Sequence, residues 1–140
     1  MTVSMVLLPV FVLIALTFCV LAWTVQLRTR AIIRGGVKMR DIALRQPNWP
    51  ERTTQIANCF HNQLELPVLF YVLVALALPL RHADLVFVLL SWVFVLTRLI
   101  HAGIFVSSND VRQRSLAWFA GALVLVVMWL YFALRILLGI

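Results

Sequence analysis

The stretch NCFHNQLELP (residues 58–67) leads directly into the apolar run VLFYVLVALALPL (residues 68–80). Amides, a histidine and the carboxylate of Glu65 therefore lie immediately before a segment that is apolar enough to enter a lipid bilayer. Ionisable groups are rare in membrane helices unless they face a protein interior or a water-filled cavity. The presence of Glu65 here predicts a polar site inside a membrane protein.

Composition extends this expectation to the whole chain. Of its 140 residues, 64% are hydrophobic, whereas an ordinary soluble domain has about 45–50%. A single small domain has no core large enough to bury that much apolar surface. Four apolar segments approach the length that a helix needs to cross a hydrocarbon layer of about 30 Å, and none alternates as the strands of a lipid-facing barrel do. We expect an all-α fold, an integral-membrane four-helix bundle forming one domain. The expected spans are about 4–27, 56–80, 83–105 and 115–138, with a long loop at 28–55.

Basic residues lie mainly in the connections between these spans. The net charge is +7, and the first connection holds seven basic residues against two acidic ones. By the positive-inside rule, loops 28–55 and 106–114 are cytoplasmic and both termini lie outside. The positive charge is thus expected to orient the chain in the bilayer, and no nucleic-acid partner is expected. The first span has no basic residue before its apolar run, which favours an uncleaved span over a signal peptide.

Polar residues of the second span follow a helical spacing. Asn58, His61, Asn62 and Glu65 stand at i, i+3, i+4 and i+7, which places them on one face of a continuous helix. Pro67 is expected to bend this span around the site.

The third and fourth spans carry further polar positions. Arg98, His101 and Phe105 again stand at i, i+3 and i+7, and Arg114 precedes Trp118 by one helical turn. We predict that three helices share an interior site near the cytoplasmic side. Structural roles remain open beside this prediction, because Arg98 and Glu65 could form an ion pair that locks two helices. The two asparagines could likewise join helices through hydrogen bonds.

Other chemistries find less support. His61, His101 and Glu65 have the chemistry of metal ligands, but no close paired-histidine motif accompanies them. Cys19 and Cys59 form no metal or disulfide pattern. The sequence contains neither a phosphate-binding glycine loop nor a nucleophile elbow. An arginine-rich site with amide and carboxylate groups suits a polyanionic, zwitterionic ligand from the cytoplasm, and a lipophilic partner could enter from the bilayer.

Three motifs carry a resemblance to a known family. HNQLELPVLF (61–70), RLIHAGIF (98–105) and RQRSLAWF (112–119) resemble the second-, third- and fourth-helix motifs of the MAPEG family, the membrane-associated proteins in eicosanoid and glutathione metabolism. The resemblance implies a four-helix bundle that assembles as a homotrimer and binds glutathione between neighbouring subunits at the cytoplasmic side. It further implies a lipophilic small-molecule substrate and, for a bacterial member, the inner membrane.

The resemblance also implies roles for individual residues. Arg114 matches the arginine that stabilises the glutathione thiolate in catalytic members, and Arg28 matches an arginine contributed by a neighbouring subunit. The full set of implied glutathione contacts is Arg28, His61, Asn62, Glu65, Arg98, His101, Phe105 and Trp118.

The chain departs from the family pattern at several of these positions. His61 stands where catalytic relatives often have arginine, Asn58 and Phe60 occupy positions that are more basic there, and Phe105 and Trp118 replace tyrosines. Three functions therefore stay open. The first is a glutathione-dependent transferase or peroxidase acting on lipophilic electrophiles or lipid hydroperoxides. The others are a non-catalytic lipid-binding or scaffold protein of the same fold, and a small proton-coupled exporter.

Overall fold

The computed structural model describes residues 1–139 and is entirely helical within them, apart from turns and short connections. Four segments are long and apolar enough to cross a membrane, and one of them is divided into two helices. The predicted all-α class with four spans is confirmed. The elements are α1 (Val3–Ile33), a 3₁₀ turn (Met39–Asp41), α2 (Glu51–Asn62), α3 (Leu66–Ala77), α4 (Leu85–Val106) and α5 (Val111–Leu138).

The first connection is shorter than predicted at both ends. Helix α1 continues to Ile33, because neither glycine nor proline occurs between the predicted end at Leu27 and Gly35, which has a left-handed φ of 70°. Helix α2 begins at Glu51, directly after Pro50. The expected loop at 28–55 is therefore wrong in its bounds, and its outer residues belong to helices.

The second span is broken where the sequence analysis predicted a continuous helix. Helix α2 ends at Asn62 and α3 begins at Leu66, and between them Glu65 has a non-helical backbone (φ −97°, ψ −106°). Pro67 explains the break, since its ring lacks an N–H and clashes with the carbonyl four residues earlier in a continuous helix. The prediction that Glu65 shares a helix with Asn58 is wrong, and the distortion expected near Pro67 takes the form of a break between two helices.

The helices pack through an apolar core and leave apolar side chains facing outward. Phe70 of α3 and Phe94 of α4 are fully buried, and their ring centres lie 5.0 Å apart. In contrast, Phe18 and Leu123 are more than 60% exposed, as expected for side chains in contact with lipid. At Gly121 of α5 the helices come close together, because an added Cβ would lie 2.8 Å from Thr97 Oγ1 of α4.

An acidic cap fixes the start of α4 and ties it to the end of α5. Asp84 accepts a hydrogen bond from the backbone N–H of Phe87 at 2.9 Å, and its other oxygen accepts from Tyr131 and Arg135. Partial burial alone would raise the pKa of Asp84, but these hydrogen bonds and the charge of Arg135 outweigh it and lower the pKa.

Candidate functional site

A polar cavity of about 550 Å³ opens where α2, the break before α3, α4 and α5 meet. Seven of the nine predicted site residues line it, while Arg98 and Arg28 do not. The lining residues are Asn58, His61, Asn62, Glu65, His101, Phe105, Arg114, Ser115, Trp118 and Phe119.

The broken second span contributes four of these groups. Although Glu65 lies outside α2, it lines the same cavity as Asn58, His61 and Asn62. Asn62 Nδ2 donates to the carbonyl oxygen of Asn58 at 3.1 Å within the helix. Within residues 1–139 the Glu65 side chain makes no ion pair and is exposed. Its carboxylate is therefore available to a ligand.

Arg98 is completely buried in α4 between residues that line the cavity. Its Nη2 donates to the carbonyl oxygen of Asn62 at 3.4 Å, while its Nε and Nη1 have no partner among the described residues. An unpaired buried donor costs about 1–3 kcal/mol. The ion pair with Glu65 that the sequence allows is not formed in residues 1–139. Arg98 thus retains two nitrogen atoms with unused N–H groups and a positive charge beside the cavity.

Arg114 is held at the cavity wall from two directions. Its Nη1 donates to Asn109 Oδ1 in the α4–α5 connection, and its Cζ lies 4.3 Å from the centre of the Phe105 ring. A guanidinium over an aromatic face is attracted by the ring quadrupole. The backbone carbonyl oxygen of Arg114 also lies 2.8 Å from His101 Nδ1. These contacts give the Arg114 side chain a defined position on the cavity wall.

Arg28 lies away from the cavity of its own chain. Its guanidinium lies over Trp49 at 5.0 Å from the ring centre, and its buried Nε has no partner among the described residues. A contribution from Arg28 to the cavity of another subunit stays a prediction.

An apolar cleft of about 420 Å³ runs between α3 and α5 next to the polar cavity. It begins at Leu66, the residue that follows Glu65, and continues past Leu125 to Trp129 and Ala133. Among residues 1–139, the side chains that line the cleft are all apolar apart from the indole N–H of Trp129. A ligand with a polar group and an apolar body can therefore find both environments side by side.

The chemistry of the cavity follows from its charges. Arg114 and the adjacent Arg98 are cations, and Glu65 is the carboxylate that the described part of the chain contributes to the lining. Such a site favours a ligand with more than one anionic group and one cationic group. Within residues 1–139 no group of three or more His, Cys, Asp or Glu side chains could hold a metal ion, and both cysteines are free.

Three residues with a place in or behind the site were missed from the sequence. Ser115 and Phe119 line the cavity, and Ser115 lies at the i−3 position to Trp118, a spacing that could have revealed it. Asn109 holds Arg114 without lining the cavity. Its only sequence signal is an asparagine in a short polar connection, which is typical of a turn.

Comparison with protein families gives one match. A model of the MAPEG family matches residues 6–134, nearly the whole chain. Neither the curated proteins nor the solved structures gave a match.

Proposed function

The chain belongs to the MAPEG family, and we propose that it is a membrane enzyme, a glutathione-dependent transferase or peroxidase acting on lipophilic electrophiles or lipid hydroperoxides. The cavity is the observation that carries the proposal. It brings Asn62, Glu65 and Arg114 together beside the buried Arg98. These groups complement a small peptide that has two carboxylates, amides and one ammonium group.

The unpaired polar atoms support glutathione as the ligand. The positive charge of Arg98 and its free Nε and Nη1 lie behind the cavity wall, where they favour an anionic group such as a carboxylate in the cavity. The Glu65 carboxylate can accept from an ammonium group, and Asn62 can bond a peptide amide. The remaining proposed binding residues on the cavity wall are His61, His101, Phe105 and Trp118.

Arg114 is the residue that we propose to act on the bound thiol. Glutathione supplies a thiol, and because a free cysteine thiol has a pKa of about 8.5, most of it is protonated near pH 7. A neighbouring cation favours the anionic form of an acid. Arg114 presents such a cation at the cavity wall, and thus favours the thiolate, which is the nucleophilic form.

The apolar cleft supports a lipophilic second substrate. Its lining from Leu66 to Trp129 adjoins the polar cavity and includes exposed apolar side chains such as Leu69 and Val126. A substrate dissolved in the bilayer could therefore approach without crossing water.

The assembly and orientation belong to the same proposal. We propose a homotrimer in which Arg28 of a neighbouring subunit joins each cavity, in a bacterial inner membrane. The connections between α1 and α2 and between α4 and α5 would face the cytoplasm, where glutathione is available, and both termini would lie outside. The mass of the detergent-solubilised complex, measured by native mass spectrometry, tests the trimer.

A glutathione titration tests the function. The purified protein in detergent is titrated with glutathione while the ultraviolet absorbance of the thiolate is recorded, and binding is measured in parallel by calorimetry. The wild type should give a saturable thiolate signal, and Arg114→Ala should lose it. Arg112→Ala is the matched control. Arg112 lies two residues before Arg114 and carries the same charge, but its side chain is exposed and does not line the cavity.

A non-catalytic lipid-binding protein is the second candidate, favoured by one observation. Phe105 and Trp118 present no hydroxyl to the cavity, and Phe105 is occupied by the Arg114 guanidinium. This candidate predicts calorimetric binding without a thiolate signal. A thiolate signal that survives unchanged in Arg114→Ala would refute the proposed mechanism.

A further inference from the structure

The short connection between α4 and α5 carries a side chain that contacts Arg114 and lies outside the cavity lining. Asn109 Oδ1 accepts the hydrogen bond from Arg114 Nη1, five residues along the chain. It is the one acceptor that the described residues provide for that guanidinium. The other contact, the face of Phe105, attracts the cation without fixing its rotation about the ring normal.

The backbone holds Asn109 firmly in this place. Its φ of 53° is left-handed, a conformation that asparagine tolerates better than most residues. Its N–H donates to the carbonyl oxygen of Ile104 at 2.8 Å and so closes the C-terminal turn of α4. Asp110, the next residue, caps α5 by accepting from the N–H of Gln113 at 3.0 Å.

A second helix braces the same connection. Gln55 Nε2 donates to the carbonyl oxygen of Phe105 at 2.6 Å, and Arg52 Nη1 donates to that of Val106 at 2.6 Å. These bonds satisfy carbonyl groups that the end of α4 leaves free. Asn109 Oδ1 therefore belongs to a connection that hydrogen bonds tie to α2, α4 and α5.

We propose that Asn109 is a positioning residue that orients the Arg114 guanidinium toward the thiol of the bound ligand. This inference rests on the proposed function, because it assigns the geometry on which thiolate stabilisation depends. When the thiol ionises, its proton leaves to solvent and the sulfur keeps the electron pair facing the guanidinium. A charge misplaced by about 1 Å can reduce such an effect strongly.

Glycine at position 109 isolates the side chain. Asn109→Gly removes the acceptor but keeps the left-handed backbone, which glycine adopts freely, so the connection and both helix ends are retained. Arg45→Gly is the matched control, because Arg45 also has a left-handed φ of 60° and is exposed in the first connection. Wild type and both variants are titrated with glutathione from neutral to alkaline pH, and thiolate absorbance is recorded.

Two further readouts separate positioning from a general structural effect. Calorimetry with S-methylglutathione, which has no ionisable thiol, measures binding alone. The N–H signals of the Arg114 guanidinium in nuclear magnetic resonance spectra of the ligand-free protein measure whether the side chain is held.

In Asn109→Gly we expect the thiolate signal at pH 7 to fall by about threefold to tenfold and to recover at higher pH. Binding of S-methylglutathione should change by less than about twofold, and the guanidinium signal should broaden or be lost. Arg45→Gly should match the wild type in all three measurements.

A thiolate titration of Asn109→Gly that superimposes on the wild type would overturn the inference. Equal losses of S-methylglutathione binding and thiolate would also overturn it, because they indicate a structural role. If the wild type binds glutathione but gives no thiolate absorbance, the proposed function is refuted, and so is the role of Asn109 in thiol ionisation. The guanidinium N–H signal would then show separately whether Asn109 holds Arg114.

Discussion

His101 Nδ1 lies 2.8 Å from the backbone carbonyl oxygen of Arg114, across the contact between α4 and α5. A carbonyl oxygen only accepts hydrogen bonds, so Nδ1 must carry the proton. In the neutral ring, Nε2 is then an acceptor, and this atom has no partner among the described residues. The fold thus fixes the orientation of the His101 ring, and the neutral ring presents Nε2 as a hydrogen-bond acceptor beside the cavity.

The tautomer of His101 can be observed directly. In ¹⁵N-histidine-labelled protein near neutral pH, we expect His101 to be protonated at Nδ1 and bare at Nε2. His61 is the internal control, because its ring is exposed and makes no hydrogen bond to a carbonyl within residues 1–139. A spectrum in which His101 carries its proton on Nε2 would contradict the contact with Arg114.

Gly121 sets the distance between α4 and α5. In Gly121→Ala the new methyl group would lie 2.8 Å from Thr97 Oγ1, whose hydroxyl donates to the carbonyl oxygen of Phe94 at 2.7 Å. Thr97 cannot turn away without losing that bond, so we expect a loss of about 1–3 kcal/mol in the free energy of unfolding. Denaturant unfolding of the protein in mixed micelles measures it.

Two variants test the explanation for Gly121. Gly103→Ala is the matched control, since Gly103 lies in α4 with nothing within 4 Å of an added Cβ, and we expect it to be neutral or slightly stabilising. Removing the obstructing side chain with Thr97→Ala should recover most of the loss in the double variant. Additive losses would show that a different contact is responsible.

The span pattern could be predicted because a membrane helix is encoded by length and hydropathy alone. Its interruption at Glu65 was missed although Pro67 was recognised, because periodicity describes side-chain positions on an ideal helix and not the backbone that proline excludes. The end of α1 was placed too early because charged residues such as Arg30 suggested a loop. In the structure they extend the helix, since their long side chains have good helix propensity.

The sequence predicted which residues form the candidate site better than it predicted the contacts that those residues make. Spacing identified the cavity-lining faces of α4 and α5, but it could not show that Arg98 is buried with two unpaired donors while Arg114 lies at the wall. That distinction depends on how helices rotate against one another. The support from Asn109 was also invisible, because it depends on a left-handed turn and a contact across five residues.

The acidic cap of α4 predicts a pH dependence of stability. The pKa of Asp84 is lowered in the folded protein, so its stabilising effect is complete above the ordinary aspartate pKa of about 3.9 and is lost as the pH falls through the folded-state value. We expect the Tm of the wild type in detergent to fall on this acid side. Asp84→Asn keeps an N-cap but loses the charge that Arg135 and Tyr131 contact, so its Tm should be lower by a few degrees at neutral pH.

The control for Asp84 is the equivalent cap of α5. Asp110 accepts from the backbone N–H of Gln113 but has no ion pair in the part of the chain that the structure describes. Asp110→Asn should therefore leave the Tm unchanged within about one degree, given that asparagine caps as well as aspartate. If Asp84→Asn behaves like Asp110→Asn, the contact with α5 contributes nothing to stability.

Glu65 distinguishes a ligand-binding carboxylate from a structural or transporting one. Because it is exposed, lies in the helix break and has no ion pair among the described residues, Glu65→Gln should leave the free energy of unfolding within about 0.5 kcal/mol of the wild type. Calorimetry should show glutathione binding weakened by about tenfold to a hundredfold, since a hydrogen bond to a charged group contributes about 1.5–3 kcal/mol.

A glutathione analogue without its α-amino group should bind both proteins equally if Glu65 receives that ammonium. Glu51→Gln, an exposed charge at the start of α2 outside the cavity, should bind like the wild type. Unchanged glutathione binding in Glu65→Gln would exclude this contact, and proton-coupled transport in vesicles that needs Glu65 but no glutathione would favour an exporter.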